Sequence, residues 1–178
     1  MRPTLFVLLA AAASPALAQN AKQVATPKSQ SSHSAVADVR AQWKQMSGYV
    51  LQSAMDVPED KYMFKPTPAV RSFGELFAHV AGAQSMFCAL ALGAKPPAED
   101  AVKATTKQDL IDALKKSNAD CDKAYAQADA ATGAQVDIFG EQHSRLYALI
   151  MNATHDGEHY GNLVTYLRMN GMVPPSSK

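Results

Sequence analysis

The stretch His155-Asp156-Gly157-Glu158-His159-Tyr160-Gly161-Asn162 decides how this chain is read. Its two histidines stand four residues apart, so on a helix they project from one face with Cβ atoms roughly 5–6 Å apart. That separation lets two imidazoles converge on one metal ion at Zn–N distances of roughly 2.0–2.1 Å. Around them Leu146, Leu149, Ile150, Ala153, Tyr160, Val164 and Leu167 recur at helical spacing. At roughly 100° per residue the histidines lie opposite that stripe, beside Ala148, Asn152, Leu163 and Tyr166. Only Thr154, Glu158, Asn162 and Thr165 make a polar strip, so the expected element is the central helix of a bundle. It should run from about Gln142 to Met169 and stop at Gly171, with Pro174-Pro175 beyond.

The rest of the chain fits one all-α domain. It has 178 residues, 47% of them hydrophobic, and alternating β-branched runs are nearly absent. A formal net charge of +1, with no Gly-rich phosphate loop and no basic-aromatic patch, gives no support to nucleic-acid binding. The N-terminus reads as a signal peptide over residues 1–18. Arg2 supplies a positive end, Leu5 to Ala13 an apolar run, and Ala16-Leu17-Ala18 a small-residue cleavage site. The run is too short to span a bilayer comfortably. Cleavage after Ala18 and export, periplasmic or secreted, are therefore expected, with no stable membrane anchor left; an uncleaved anchor is the competing reading. Residues 19–33 are polar and low in aromatics, a disordered leader before a domain at 34–175.

Three further helices are expected. The first runs from Ser34, its N-cap, to about Met55, with Val36, Val39, Trp43, Met46 and Val50 as its buried stripe. Pro58, Pro66 and Pro68 break the next segment into a short turn near Pro58–Lys61 and an extended crossover carrying Tyr62 and Phe64. The second helix opens on the capping box Ser72-Phe73-Gly74-Glu75 and buries Leu76, Val80, Ala83, Phe87 and Leu90, ending near Gly93. The third begins near Thr106 and buries Leu110, Leu114, Ser117, Cys121, Ala124 and Ala128. Ala130 to Gly140 reads as a loop whose Ile138-Phe139 plugs the end of the bundle.

The metal hypothesis has to be set against the commoner zinc motif. In a zincin a Glu follows the first His as general base, and a third ligand lies downstream. Here Asp156 takes that place and nothing downstream can ligate, which argues against a metalloprotease. The third ligand must come from another helix, and His79, at the edge of the second helix's apolar stripe, is the candidate. His143 lies on the expected last helix, twelve residues before His155 and so roughly 18 Å away along the axis, and His33 lies in the leader. Three neutral imidazoles, His79, His155 and His159, would leave coordination positions for water or substrate, the pattern of a catalytic site. Glu75, Asp156 and Glu158 could accept hydrogen bonds from the imidazoles, and Asp156 and Glu158 are the candidate general bases. Taken singly, each also reads as an ordinary solvated helix charge. Cys88 and Cys121, an even pair in an exported chain, suggest a disulfide, with two buried free thiols as the alternative.

Three segments together resemble the DinB/YfiT-like family. They are Tyr62-Met63-Phe64-Lys65-Pro66-Thr67-Pro68, Arg71-Ser72-Phe73-Gly74-Glu75-Leu76 with His79, and His155 through Tyr166. The resemblance implies an up-down-down-up four-helix bundle, often dimeric. It also implies a three-histidine site for divalent nickel, zinc or iron, carried over to His79, His155 and His159. Some relatives are thiol-dependent transferases or isomerases using mycothiol or bacillithiol. The expectation is an exported metal-dependent hydrolase or thiol-type transferase acting on a small molecule. The alternative is a non-catalytic metal- or ligand-binding module of the cell envelope. The wide apolar perimeter of the last helix adds an expected homodimer.

Overall fold

In the computed structural model, residues 34–98, 102–104, 106–127 and 129–178 are described. The signal peptide, the leader and Ala128 lie outside them. Four helices carry the fold: α1 (Ala35–Asp56), α2 (Phe73–Ala91), α3 (Lys107–Ala124) and α4 (Arg145–Met169). None is long and apolar enough to cross a membrane.

Each helix starts where a side chain can satisfy its first amides. Ser34, Ser72, Thr106 and Ser144 are the N-caps, each accepting from the backbone N–H three residues on. At Ser72 the capping box is complete, since the Glu75 carboxylate also accepts from the Ser72 N–H at 2.6 Å. The crossover before it adds two bonds, from Phe73 N–H to Phe64 O and from Gly74 N–H to Tyr62 O. Four donors near the head of α2 are thus accounted for, which fixes its start and everything counted from it. α2 and α4 both end in Schellman turns with glycines at positive φ, Gly93 at 71° and Gly171 at 70°. Their second bonds run from Ala94 N–H to Ala89 O and from Met172 N–H to Leu167 O.

Side-chain pairs give the helix directions. Leu110 packs against Gly74 near the starts of α3 and α2, and Cys88 is bonded to Cys121 near their ends, so α2 and α3 are parallel. Phe73 meets Tyr166 while Phe87 meets His155, which makes α4 antiparallel to α2. Arg40 pairs with Asp122 while Lys107 caps the carbonyls of Met55 and Val57, which makes α1 antiparallel to α3. The order is up-down-down-up. α4 packs along both α1 and α2, α2 along α3, and α3 back along α1.

The core divides into two apolar clusters. One gathers Tyr62, Phe73, Phe77, Leu110, Leu163 and Leu167; the other gathers Trp43, Phe87, Tyr125, Leu149 and the disulfide. The disulfide Cys88–Cys121, with Cα atoms 5.1 Å apart, ties α2 to α3 and leaves no free thiol. Beside it a buried polar chain is satisfied internally. Trp43 Nε1 donates to Gln84 Oε1 at 2.9 Å, and Gln84 Nε2 donates to Ser117 Oγ at 3.2 Å.

Between α3 and α4 the structure departs from the expected loop. Asp129–Gly133 is a 3-10 turn, followed by an antiparallel hairpin of β1 (Gln135–Ile138) and β2 (Glu141–Ser144). The two turn residues, Phe139 and Gly140, both have positive φ, the requirement of a type I′ hairpin. α4 consequently starts at Arg145 rather than Gln142, and His143 lies on β2 instead of a helix. Only Ile138 plugs the bundle; Phe139 is 73% exposed and touches Phe87 by its edge. Ile150, expected in the buried stripe, is exposed as well.

Candidate metal centre

The antiparallel crossing of α2 and α4 brings His79 to the His155/His159 pair. The three Nε2 atoms form a nearly equilateral triangle. His79 to His159 is 3.0 Å, and His155 is 3.1 Å from each of the others. His159 is buried, and His79 and His155 are half-buried. Nitrogens this close cannot all be satisfied by one another. Each Nε2 carries either a proton or a lone pair, and a ring of three cannot alternate, so one side must set like against like. A cation drawing on three lone pairs removes that conflict at Zn–N distances of roughly 2.0–2.1 Å. The three histidines are thus a set that could hold a metal ion.

The surroundings favour the neutral form of His79 and His155, the form metal binding requires. Burial lowers the pKa of His79, with a further push from the Arg71 guanidinium and an opposing pull from Glu158. His155 is driven down to about 3, first by burial, then by the neighbouring rings of His159 and His79, and by Arg71. Asn162 lies one turn past His159, its side-chain amide 3.3 Å from the ring Nδ1. The facing atom is Nδ2; with the amide turned over, its oxygen would accept the Nδ1 proton and free the Nε2 lone pair for the centre. Nothing in the sequence pattern singled out Asn162 for this role, although its i+3 spacing from His159 is a usable signal.

The other residues singled out from the sequence fall in three different places. Glu158 lines the cleft beside the histidines and is exposed. Glu75 lines the same cleft, but its carboxylate is held by the Ser72 N–H and by Lys65 at 3.2 Å. Asp156 is neither a solvated charge nor an acceptor for a ring. It is fully buried, and neither carboxylate oxygen has a hydrogen-bond partner among the described residues. Burial alone raises its pKa well above the ordinary value, which favours the neutral acid. His143 stacks on Tyr147 and lies 3.3 Å from Glu141, away from the centre.

Beside the triangle opens a cleft of about 1040 Å³. His79 and His159 form part of its wall, with Arg71 and Tyr166 nearby, and the segment before α3 contributes Val102 and Lys103. Three converging donors from α2 and α4 on one side, with open volume on the other, can hold an ion and admit a small molecule together.

Comparison with known proteins agrees with this architecture. No functionally curated protein matches the chain by sequence. Two solved structures share the fold. A DinB-like protein from Bacillus cereus ATCC 10987 is 17% identical with a TM-score of 0.67, over 77% of this chain and 93% of its own. A DinB-like protein (YjoA) from Bacillus subtilis is 21% identical with a TM-score of 0.63, over 76% of this chain and 93% of its own. At such identities the likeness shows the fold alone. Residues 42–163, a span that includes all three histidines, match the DinB superfamily, and the chain belongs to that superfamily.

Proposed function

We propose that this chain is an exported metalloprotein whose His79, His155 and His159 hold one divalent ion, nickel, zinc or iron. We further propose that it acts on a small molecule as a metal-dependent hydrolase or thiol-type transferase. The observation that carries the reading is the Nε2 triangle, two of whose rings, His79 and His159, form part of the wall of an open cleft. When bound, the ion would supply Lewis-acid polarisation of a substrate oxygen or sulfur.

The chain's own residues supply the rest. The rings bind through neutral Nε2 atoms, and Asn162 fixes the orientation of His159. Glu158 presents a carboxylate to the cleft, placed to take a proton there. Asp156 is fully buried and does not line the cleft, so it has no access to such a role. Both cysteines are joined to each other, so a thiol substrate would have to come from outside the chain. Export draws support from the N-terminal signal pattern and from that disulfide, which belongs to oxidising compartments. Pairing of two copies is proposed from the family resemblance, and light scattering at tens of micromolar would read it.

The deciding experiment is a screen of the nickel-, zinc- and iron-loaded protein against ester, amide and thiol-adduct substrates. Turnover that disappears in His155→Ala is the expected result. Uniform inactivity across all three metals would leave the centre as a binding module without catalysis.

A further inference from the structure

We infer that the cleft beside the histidines takes a small organic carboxylate with an apolar body, and that Arg71 is the residue that recognises the carboxylate. The inference deepens the proposed function by naming a ligand class, and it rests on that reading only for the ion at the other end of the ligand.

The cleft is lined by three cationic side chains, Lys65, Arg71 and Lys103, and two carboxylates, Glu75 and Glu158. Glu75 is committed to the Ser72 N–H and Lys65. No hydrogen bond or ion pair engages the Arg71 guanidinium among the described residues. Three neutral imidazoles, for their part, add no charge to offset a divalent ion. A divalent ion held by them would make this part of the cleft cationic, with the Arg71 guanidinium on the same wall. An anion is the complementary partner.

Arg71 sits where the crossover enters α2, immediately before the capping box that fixes the head of that helix. Its carbonyl accepts from the Tyr166 hydroxyl at 2.9 Å, so α4 pins the Arg71 backbone from the same helix that carries two of the histidines. The Arg71 side chain lines the same cleft as His79, His159 and Tyr166.

Chemistry narrows the anion. A guanidinium offers a planar fork that matches a carboxylate in two parallel hydrogen bonds. The same fork can hold a phosphate, but the backbone amides that commonly complete a phosphate site are spent here. The first turn of α2 is closed by its own capping box, and the Tyr166 hydroxyl is donated to Arg71. Val70, Leu76 and Val102 give the same cleft an apolar lining, which suits a hydrocarbon body beside the carboxylate.

The test uses 2-naphthoate and its neutral amide, 2-naphthamide, titrated into the full chain with and without metal. Binding is read by ligand fluorescence, and metal content is measured in parallel. The wild type should prefer the carboxylate by about tenfold, equivalent to about 1.4 kcal/mol. Arg71→Gln should lose that preference while keeping its metal, and Arg71→Lys should keep part of it. A thermal melt checks that each variant is folded. If the metal-loaded wild type shows no preference, or Arg71→Gln retains it, the assignment of Arg71 is overturned while the metal centre stands. If the protein takes up no metal, the centre fails instead. The unloaded comparison then decides Arg71: a preference lost in Arg71→Gln supports it, and its absence in the wild type overturns it.

Discussion

His79 and His159, eighty residues apart in the chain, place their Nε2 atoms 3.0 Å from one another. Neither residue's own helix could arrange this. The capping box at Ser72 sets the phase of α2, and the antiparallel packing of α4 supplies the second ring and, four residues earlier, the third. Since the site joins two helices, its loss should be graded by helix.

Replacing His155 or His159 with Ala should abolish stoichiometric metal binding, because each removes half of the only pair on one rigid helix. Replacing His79 should weaken binding severely while leaving a residual two-histidine affinity on α4. Metal-to-protein ratios after dialysis against a weak chelator check both. A His79→Ala protein that retained wild-type affinity would remove α2 from the site.

Metal affinity should hold steady from pH 7.5 down to about 6.5, the pKa of a free imidazole, and fall only at lower pH. The reason is that His79 and His155 are held below that value by burial, His155 at about 3, so they stay neutral where free histidines begin to charge. Competition with a coloured chelator across that range gives the profile. A decline already steep between pH 7.5 and 6.5 would mean the rings are not kept neutral by the fold.

Much of this was legible in the sequence because its signals are local. The His155/His159 pair, the Ser72/Glu75 capping box and the proline breaks all act within a few residues, and the structure keeps each of them. The β-hairpin was not legible, because its type I′ turn places Phe139 at positive φ where Asn or Asp would normally announce the turn. Arg71 escaped for a different reason. An exposed arginine at the end of a loop carries no pattern, and its place at the cleft depends on a hydrogen bond to Tyr166, ninety-five residues away. Asp156 misled because a carboxylate in the middle of a buried helix face runs against the usual placement of charge.

The unreduced, unfolded protein should titrate no free thiols, and two after reduction. Reduction should also lower stability by about 3–4 kcal/mol in the chain-entropy account of a loop this long. Cys88 and Cys121 are 33 residues apart in sequence, with Cα atoms 5.1 Å apart. The bond clasps the ends of α2 and α3, far from the Ser72 cap, so metal binding should survive reduction as long as the fold does. Two thiols in the unreduced protein would sink the claim.

Asp156→Asn should gain on the wild type as pH rises, measured on metal-free protein. Asp156 is fully buried, and neither carboxylate oxygen has a partner among the described residues. Burial raises its folded pKa above the value of about 3.9 expected in the unfolded chain. The folded state therefore holds the proton more tightly than the unfolded state does. The stability this contributes is fully present below pH 3.9 and is lost as pH rises through the folded pKa, by at most about 1.4 kcal/mol per pH unit. An asparagine has no proton to lose, so its stability lacks this decline. His155 titrates with the opposite sign, its folded pKa lowered to about 3, but it is present in both proteins and cancels in the difference. Melting temperatures of the two proteins at pH 4, 6 and 8 give the test. A gap that moves steadily in favour of Asn is the expected outcome. A gap that is flat with pH would mean that Asp156 ionises normally, through a partner that compensates its buried charge.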